Sequence, residues 1–187
     1  FLPDHAVQER WADFGRLRRP PRGLAARIEE GLQLYPCDLL FIHRDADNQE
    51  PGMRRLEISE ALANLSERRE VSPPAVCVIP VRMMEAWLLF DERAIRMAAG
   101  NPNGAMPLDL PPLQRLESLP DPKELLAEAL KRASGSSGRR MKNFERQIGS
   151  RVHSIAERME DFSPLRDLPA FQALEEDLKQ RLAERWG

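Results

Sequence analysis

The sequence predicts an α/β protein with a parallel sheet flanked by helices and an all-helical C-terminal half. Two short apolar runs, residues 38–43 and 75–81, are separated by a helical pattern long enough to form a crossover. This strand–helix–strand order favours parallel pairing, with helices on both faces of the sheet. No strand pattern follows residue 90. We therefore expect an α/β domain over residues 1–99 and a helical extension packed on it over residues 100–187.

The N-terminal half contains the predicted sheet and its helices. Pro20 and Pro21 are placed to open the first helix, because proline is favoured in the first helical turn. Pro73 and Pro74 are placed to end the second helix. In chain order, the predicted elements are an extended segment (6–14), a helix (20–34), a strand (38–43), a helix (53–69) and a strand (75–81).

The C-terminal half reads as helices joined by loops. Residues 100–112 are rich in Gly, Pro and Asn and are expected to form a loop. The Ser- and Gly-rich residues 134–138 are expected to form a flexible connection. Asp91 is placed to cap the helix that follows it. The predicted helices are 84–89, 91–99, 121–133, 140–160 and 168–185.

The composition excludes some classes of protein and leaves others open. A net charge of -2 gives no overall attraction to nucleic acid or membranes, so a polyanion site would have to be a local patch. No apolar run approaches the roughly 20 residues that a membrane-spanning helix needs. The two cysteines, Cys37 and Cys77, lie at or near the starts of predicted strands and are expected to be buried, unreactive thiols. Free thiols favour a cytoplasmic location.

The clearest candidate site follows the first predicted strand. Asp45 and Asp47 come directly after the apolar run, at the strand end where open α/β sheets place their ligands. Two carboxylates on the same side of an extended chain suit Mg²⁺, which takes one or two carboxylates together with water and phosphate oxygens. Asn48 and Gln49 offer further oxygen ligands. The alternative is structural, since a short acid after a strand often forms a turn or caps a helix.

Glu85 and Arg82 follow the second predicted strand. Glu85 is placed to complete a metal site or to orient a bound water, and Arg82 to bind a phosphate. In the alternative, the two form an i,i+3 ion pair of a few tenths of a kcal/mol. His43 is a possible proton carrier, although a histidine at a strand end is more often only a hydrogen-bonded residue.

Basic residues form local clusters that could follow a phosphate backbone. Arg139, Lys142 and Arg146 share one helical face, within a basic strip that continues to Arg151 and Arg158. Four acids interleave with this strip: Glu145, Glu157, Glu160 and Asp161. An ordinary solvated helix surface is therefore the competing interpretation. A second cluster at Arg16, Arg18, Arg19 and Arg22 has the same two interpretations. The candidate nucleic-acid contacts are Arg44, Arg82, Arg139, Arg140, Lys142 and Arg146.

The two blocks 39–47 and 78–89, in this order, resemble the Toprim superfamily, and more narrowly the RloB-like bacterial proteins related to the Toprim halves of OLD-family nucleases. The resemblance implies a Rossmann-like sheet and Mg²⁺- or Mn²⁺-dependent phosphodiester chemistry on DNA or RNA. It matches Asp45 and Asp47 to the metal-binding pair. Glu85 matches a family position and is the candidate catalytic residue, expected to support the site.

The resemblance also carries expectations about context. Its relatives are often found beside an ATPase in phage-defence operons, so an ATPase partner and a homo-oligomer are expected possibilities. Toprim proteins have a further acid after their first strand. We expect this acid upstream of Phe1, with residues 1–3 forming the tail of the first helix. The alternative function is a catalytically inactive Toprim-fold scaffold or a regulatory subunit of an ATPase complex.

Overall fold

The computed structural model describes residues 6–47, 49–66 and 72–186. In that part of the chain the protein is mainly helical and has a small parallel sheet of two strands. The mixed α/β class is confirmed, with a smaller share of strand than a sheet covered by helices on both faces implies. The strands are β1 (Leu40–His43) and β2 (Ala75–Val78), and the helices are α1 (Leu24–Leu34), α2 (Pro51–Ser66), α3 (Glu92–Ala98), α4 (Pro122–Ser134), α5 (Gly138–Glu145), α6 (Ile148–Ala156) and α7 (Pro169–Trp186). Short 3₁₀ helices lie at Phe14–Arg16, Met84–Leu88, Leu113–Ser118 and Ser163–Asp167.

The chain divides into two compact units. The first, called the sheet unit here, takes residues 1–44, 50–79 and 174–187. The second, called the helical unit, takes residues 45–49 and 80–173. Both units are assembled from segments that are distant in sequence, so neither corresponds to one continuous stretch of the chain.

The sheet unit is built on the parallel pairing of β1 with β2. Leu40 lies opposite Ala75 and His43 opposite Val78, as the predicted crossover requires. Apolar side chains alternate poorly in such short strands, and Phe41 leaves 52% of its surface exposed. The buried apolar side chains of this unit come from α1, α2, both strands, the residue after β2 and the end of α7, and they are Ile28, Leu32, Ile42, Ile58, Ala61, Leu65, Val76, Cys77, Val78, Ile79 and Leu182.

The C-terminal part of α7 belongs to the sheet unit and satisfies a main-chain group of β2. The side chain of Asp177 is buried and accepts a hydrogen bond from the Cys77 N–H at 2.8 Å. Arg55 and Arg181 approach the same carboxylate at 3.5 and 3.4 Å. A buried polar group needs such partners because an unsatisfied one costs about 1–3 kcal/mol.

The helical unit packs α3, α4 and α6 around a core that includes Ile95, Leu126, Leu130 and Ile155, all fully buried. Asp91 caps α3 as predicted, with its side chain accepting from the Ala94 N–H at 2.9 Å. The cap at Asp91 thus agrees with the sequence pattern, because it satisfies an N–H group that has no partner within the helix.

Some element boundaries differ from the predictions. The single helix predicted over 140–160 is two helices, α5 and α6, separated by a turn in which the Gln147 N–H donates to the Phe144 carbonyl. This i to i−3 bond tightens the chain just before α6, whose second residue is Gly149. The expected connection over 134–138 is a turn of three residues, 135–137, in which Gly135 ends α4 in the left-handed conformation.

Three further expectations meet the structure with different outcomes. Cys77 is buried as expected, but the prediction for Cys37 is wrong: it is exposed, because β1 begins at Leu40 and leaves Cys37 in the preceding loop. No helix in the described ranges is long and apolar enough to cross a membrane. The predictions for residues 1–3 and 67–69 lie outside the described residues.

Candidate functional site

The chain leaves β1 at His43 and enters a short turn that carries the predicted acidic pair. Ala46 is fully buried, and its N–H donates to the Pro80 carbonyl at 3.0 Å. Asp45 is half-buried and Asp47 is exposed. Asp47 has a φ of 51°, so the backbone is no longer extended there. The expectation that both carboxylates project from one side of an extended chain is therefore wrong at Asp47.

Asp45 connects the two sequence blocks. Its Oδ1 accepts a hydrogen bond from the Met84 N–H at 3.2 Å, at the start of the 3₁₀ helix Met84–Leu88. The residue before that helix, Met83, provides no side-chain cap. Asp45 therefore acts as a cap from a distant segment, which agrees in part with the structural alternative. The same contact brings the acidic turn beside the segment that contains Glu85.

Arg82 and Glu85 are both half-buried on that segment. The i,i+3 ion pair considered as an alternative is absent among the described residues. The reason is conformational: Met83, which lies between them, is extended (φ −146°, ψ 151°), so the two side chains do not share one helical face. Neither side chain forms an ion pair or hydrogen bond with another described residue, and both remain available to a ligand.

Arg44, a candidate phosphate contact, is held by an acid of the sheet unit. Its guanidinium donates to both carboxylate oxygens of Glu57, at 2.8 and 3.3 Å, and Arg54 binds the same carboxylate at 3.0 Å. Burial acts to raise the pKa of Glu57, but the hydrogen bonds from Arg54 and Arg44 outweigh it and lower that pKa. To bind a phosphate, Arg44 would have to leave Glu57.

The basic residues predicted near 139–146 lie on or beside α5. Arg139, Arg140, Lys142 and Arg146 are all exposed. The structure therefore keeps these cations on one short element of the helical unit. The second predicted cluster is less uniform, because Arg16 forms an ion pair with Asp13 at 3.0 Å.

No group of three or more His, Cys, Asp or Glu side chains is placed to hold a metal ion within residues 6–47, 49–66 and 72–186. Asp45, Asp47 and Glu85 thus do not form a ready three-carboxylate cage. Gln49 is exposed, and Asn48 lies outside the described residues. A Mg²⁺ site made of one or two carboxylates, water and a substrate phosphate does not require a third protein acid.

Glu117 is a half-buried acid that the sequence did not single out. Its carboxylate accepts a hydrogen bond from the Ala170 N–H at 3.2 Å, at the start of α7. Burial raises the pKa of Glu117, while the neighbouring Trp87 indole and the Ala170 N–H act in the opposite direction. Trp87 also packs edge-to-face on Phe171, with ring centroids 5.4 Å apart. These partners are distant in sequence, so no local pattern marks Glu117.

The chain matches no protein-family model, no curated protein and no solved structure. The resemblance to Toprim proteins therefore depends on the two sequence blocks alone.

Proposed function

We propose that the protein is a metal-dependent Toprim-type nuclease, or a subunit of one, that acts on phosphodiester bonds with Mg²⁺ or Mn²⁺. The observation that carries the proposal is the hydrogen bond from the Met84 N–H to Asp45 Oδ1, 3.2 Å long. It supports a common site for the two sequence blocks that carry the resemblance. The parallel pairing of β1 and β2 supports the Rossmann-like sheet of that family in the same way.

Each side chain has a role that follows from its chemistry. Asp45 and Asp47 would hold the metal ion, because carboxylate oxygens are the ligands that Mg²⁺ prefers. The bound ion would stabilise negative charge on the phosphate and lower the pKa of a bound water. Glu85, half-buried near Met84, would orient a water by accepting its hydrogen bond. Arg82 would donate to a phosphate oxygen, for which the planar guanidinium is well suited.

The alternative is an inactive scaffold or regulatory subunit that works with an ATPase, and specific contacts favour it. Asp45 already accepts a main-chain hydrogen bond, and Arg44 is paired with Glu57. Asp47 lies exposed in a left-handed turn. If these residues serve only to make these structural contacts, the protein keeps its fold and catalyses no cleavage. Defence against phage, with an ATPase as partner, is part of both proposals and depends on the resemblance.

The decisive variant is Asp45→Asn with Asp47→Asn, which removes both charges and keeps an acceptor for the Met84 N–H. We expect metal-dependent cleavage of labelled DNA or RNA to fall by more than about 100-fold, since even outer-shell changes at metal sites cost 10–100-fold. Single- and double-stranded forms of both nucleic acids are compared in Mg²⁺ and in Mn²⁺. The unfolding midpoint, measured in parallel, should remain near that of the wild type.

A matched control removes two acids elsewhere in the helical unit. Glu157 and Asp167 are exposed and form no ion pair with another described residue, so Glu157→Gln with Asp167→Asn should cleave normally. Full cleavage by the Asp45/Asp47 variant would refute the metal-site assignment. Absence of cleavage by the wild type on every substrate would instead favour the scaffold.

A further inference from the structure

The exposed side of α5 is a concentrated patch of positive charge on a chain whose net charge is negative. The patch, called the α5 basic face here, consists of Arg139, Arg140, Lys142 and Arg146, all exposed. Arg139, Lys142 and Arg146 are spaced by three and four residues, so they lie on the same side of the helix and its last turn. Together they span about 10 Å of helix axis at 1.5 Å per residue.

No described acid forms an ion pair with a cation of this face. Arg139, Arg140 and Lys142 form no ion pair with another described residue. Arg146 donates only to neutral groups, the Asn143 side-chain oxygen and the Lys142 carbonyl. An ordinary solvated helix face would instead be expected to mix cations with acids in i,i+4 pairs.

The one acid of α5, Glu145, is drawn toward a cation of another helix. Lys131 of α4 lies 3.7 Å from the Glu145 carboxylate and 2.7 Å from that of Glu128. This contact partly neutralises the acid that the sequence places among the basic residues. Lys131 is not part of the α5 basic face, but it offsets the negative charge of Glu145 and so helps the face to remain positive.

From this arrangement we infer that the α5 basic face is a docking surface for the sugar–phosphate backbone of a nucleic acid, and that it binds without a divalent metal. Charge complementarity carries the inference, since backbone phosphates supply the regular negative charge that such a row of cations neutralises. A stretch of about 10 Å corresponds to about three phosphates of one strand at 3.4 Å each. The surface does not rest on the nuclease proposal, because it lies apart from Asp45 and Asp47 in sequence and needs no carboxylate.

A membrane surface fits the patch less well. A helix that lies on a membrane inserts an apolar face between the lipids. The apolar residues of α5 point inward instead: Phe144 is only 6% exposed, and Met141 is half-buried. The Arg151 guanidinium lies 4.5 Å from the centre of the Phe144 ring and covers it further. The exposed side thus offers charge without an apolar anchor.

The test measures binding of fluorescently labelled duplex DNA to the full chain by anisotropy, in EDTA and over a series of salt concentrations. We expect Arg139→Gln with Lys142→Gln to weaken binding about tenfold at low salt. The slope of log K against log salt should fall by about 2, one for each lost phosphate contact. Duplex RNA, single-stranded DNA and single-stranded RNA are measured in parallel. The nucleic acid that binds with the highest affinity is the one for which the surface is best suited.

The matched control is Arg115→Gln with Lys123→Gln, which removes the same charge from the helical unit. Both residues are exposed and form no ion pair with another described residue. The two substitutions should leave the affinity for nucleic acid and the slope of log K against log salt almost unchanged. An equal loss in both double variants would show a general charge effect and overturn the docking surface. Lys131→Gln, which removes the cation nearest to Glu145, should weaken binding about two- to threefold because the negative charge of Glu145 is then unpaired beside the face.

Two further arms separate binding at the α5 basic face from metal binding at the acidic pair and from membrane binding. The Asp45→Asn/Asp47→Asn variant should bind nucleic acid in EDTA as well as the wild type does, so failure of the nuclease proposal leaves this result intact. Vesicles that contain phosphatidylserine form the second arm. Vesicle binding that depends on Arg139 and Lys142 and is tighter than binding of every nucleic acid would overturn the inference in favour of a membrane surface.

Discussion

Asp177 in the sheet unit and Glu117 in the helical unit are both at least partly withdrawn from water, and each accepts a hydrogen bond from the main chain of another element. They differ in their charged neighbours. Asp177 lies near two guanidinium groups, those of Arg55 and Arg181, at 3.5 and 3.4 Å. Glu117 forms no ion pair with any other residue in the described ranges. Burial accordingly raises the pKa of Glu117.

The difference shows that burial alone does not decide how costly a carboxylate is. A cation nearby offsets the loss of water around a charge, and without one the acid holds its proton to a higher pH. The negative charge at Asp177 also acts on Cys77: burial first, and then this charge, raise the pKa of the thiol. Cys77 is therefore a poor nucleophile, in agreement with its expected role as a buried apolar residue.

The largest effect should come from Asp177→Ala. The change leaves the buried Cys77 N–H without its acceptor and removes the anion shared by Arg55 and Arg181, of which Arg181 keeps its ion pair with Glu184 at 2.9 Å. Because Arg55 and Arg181 are partly exposed, we expect a loss of about 2–3 kcal/mol in the free energy of unfolding rather than the full cost of a buried charge. Chemical denaturation of the full chain at neutral pH measures it.

The neighbouring residue supplies the control for Asp177. Glu176 is exposed on the same helix and forms no ion pair with a described residue, so Glu176→Ala should change stability by less than about 0.5 kcal/mol. Asp177→Asn keeps an oxygen acceptor for the Cys77 N–H, so its loss in the free energy of unfolding should lie between those of Asp177→Ala and Glu176→Ala. Equal stability of the Asp177→Ala and Glu176→Ala proteins would mean that the buried contact contributes nothing.

A smaller, pH-dependent effect is expected at Glu117. The pKa of this acid is higher in the folded protein than in the unfolded chain, so stability should fall as pH rises from the ordinary glutamate pKa through the raised one. Glu117→Gln keeps an acceptor for the Ala170 N–H and removes the charge. The variant should match the wild type below this window and unfold at a higher denaturant concentration above it. Denaturation midpoints of both proteins at a series of pH values test the sign of this pH dependence. A midpoint difference between variant and wild type that stays constant with pH would contradict the raised pKa.

Much of the local structure followed from the sequence because its signals are local. The apolar runs that became β1 and β2, and the capping position of Asp91, depend on neighbouring residues only. The break between α5 and α6 was not predicted, because the nearest Gly, Gly149, lies inside α6 and not in the turn itself. The exposed Cys37 was missed because the start of a short strand is set by its pairing with β2, which the apolar pattern does not report.

The position of the candidate site was predictable in part, because it follows from the order of the two strands. Parallel strands end at a common edge, so the closeness of Asp45 to the segment after β2 follows from topology, and the bond to Met84 agrees with it. The left-handed conformation of Asp47 itself was not predicted, because no residue type at that position requires it. Contacts such as that of Asp177 with Cys77, which are 100 residues apart, arise only in the folded chain.

The smallest of the three effects should come from Glu57→Gln, and its pH dependence should have the opposite sign to that at Glu117. Hydrogen bonds from Arg54 and Arg44 outweigh burial and lower the pKa of Glu57, so its contribution is present above the ordinary glutamate pKa and is lost as pH falls through the lowered one. Glu57 and Arg44 are each about a third exposed, at 36% and 33%, so solvent screening should keep the loss below about 1 kcal/mol at neutral pH.

The same variant also tests the predicted role of Arg44. If Arg44 contacts phosphate, releasing it from Glu57 should tighten nucleic-acid binding as well as lower stability. Glu60, exposed on the same helix without an ion pair to a described residue, gives the control variant Glu60→Gln. Weaker stability with unchanged binding would leave Arg44 a purely structural partner of Glu57. A stability difference from the wild type that grows toward low pH would contradict the lowered pKa itself, and with it the contrast between paired and unpaired acids.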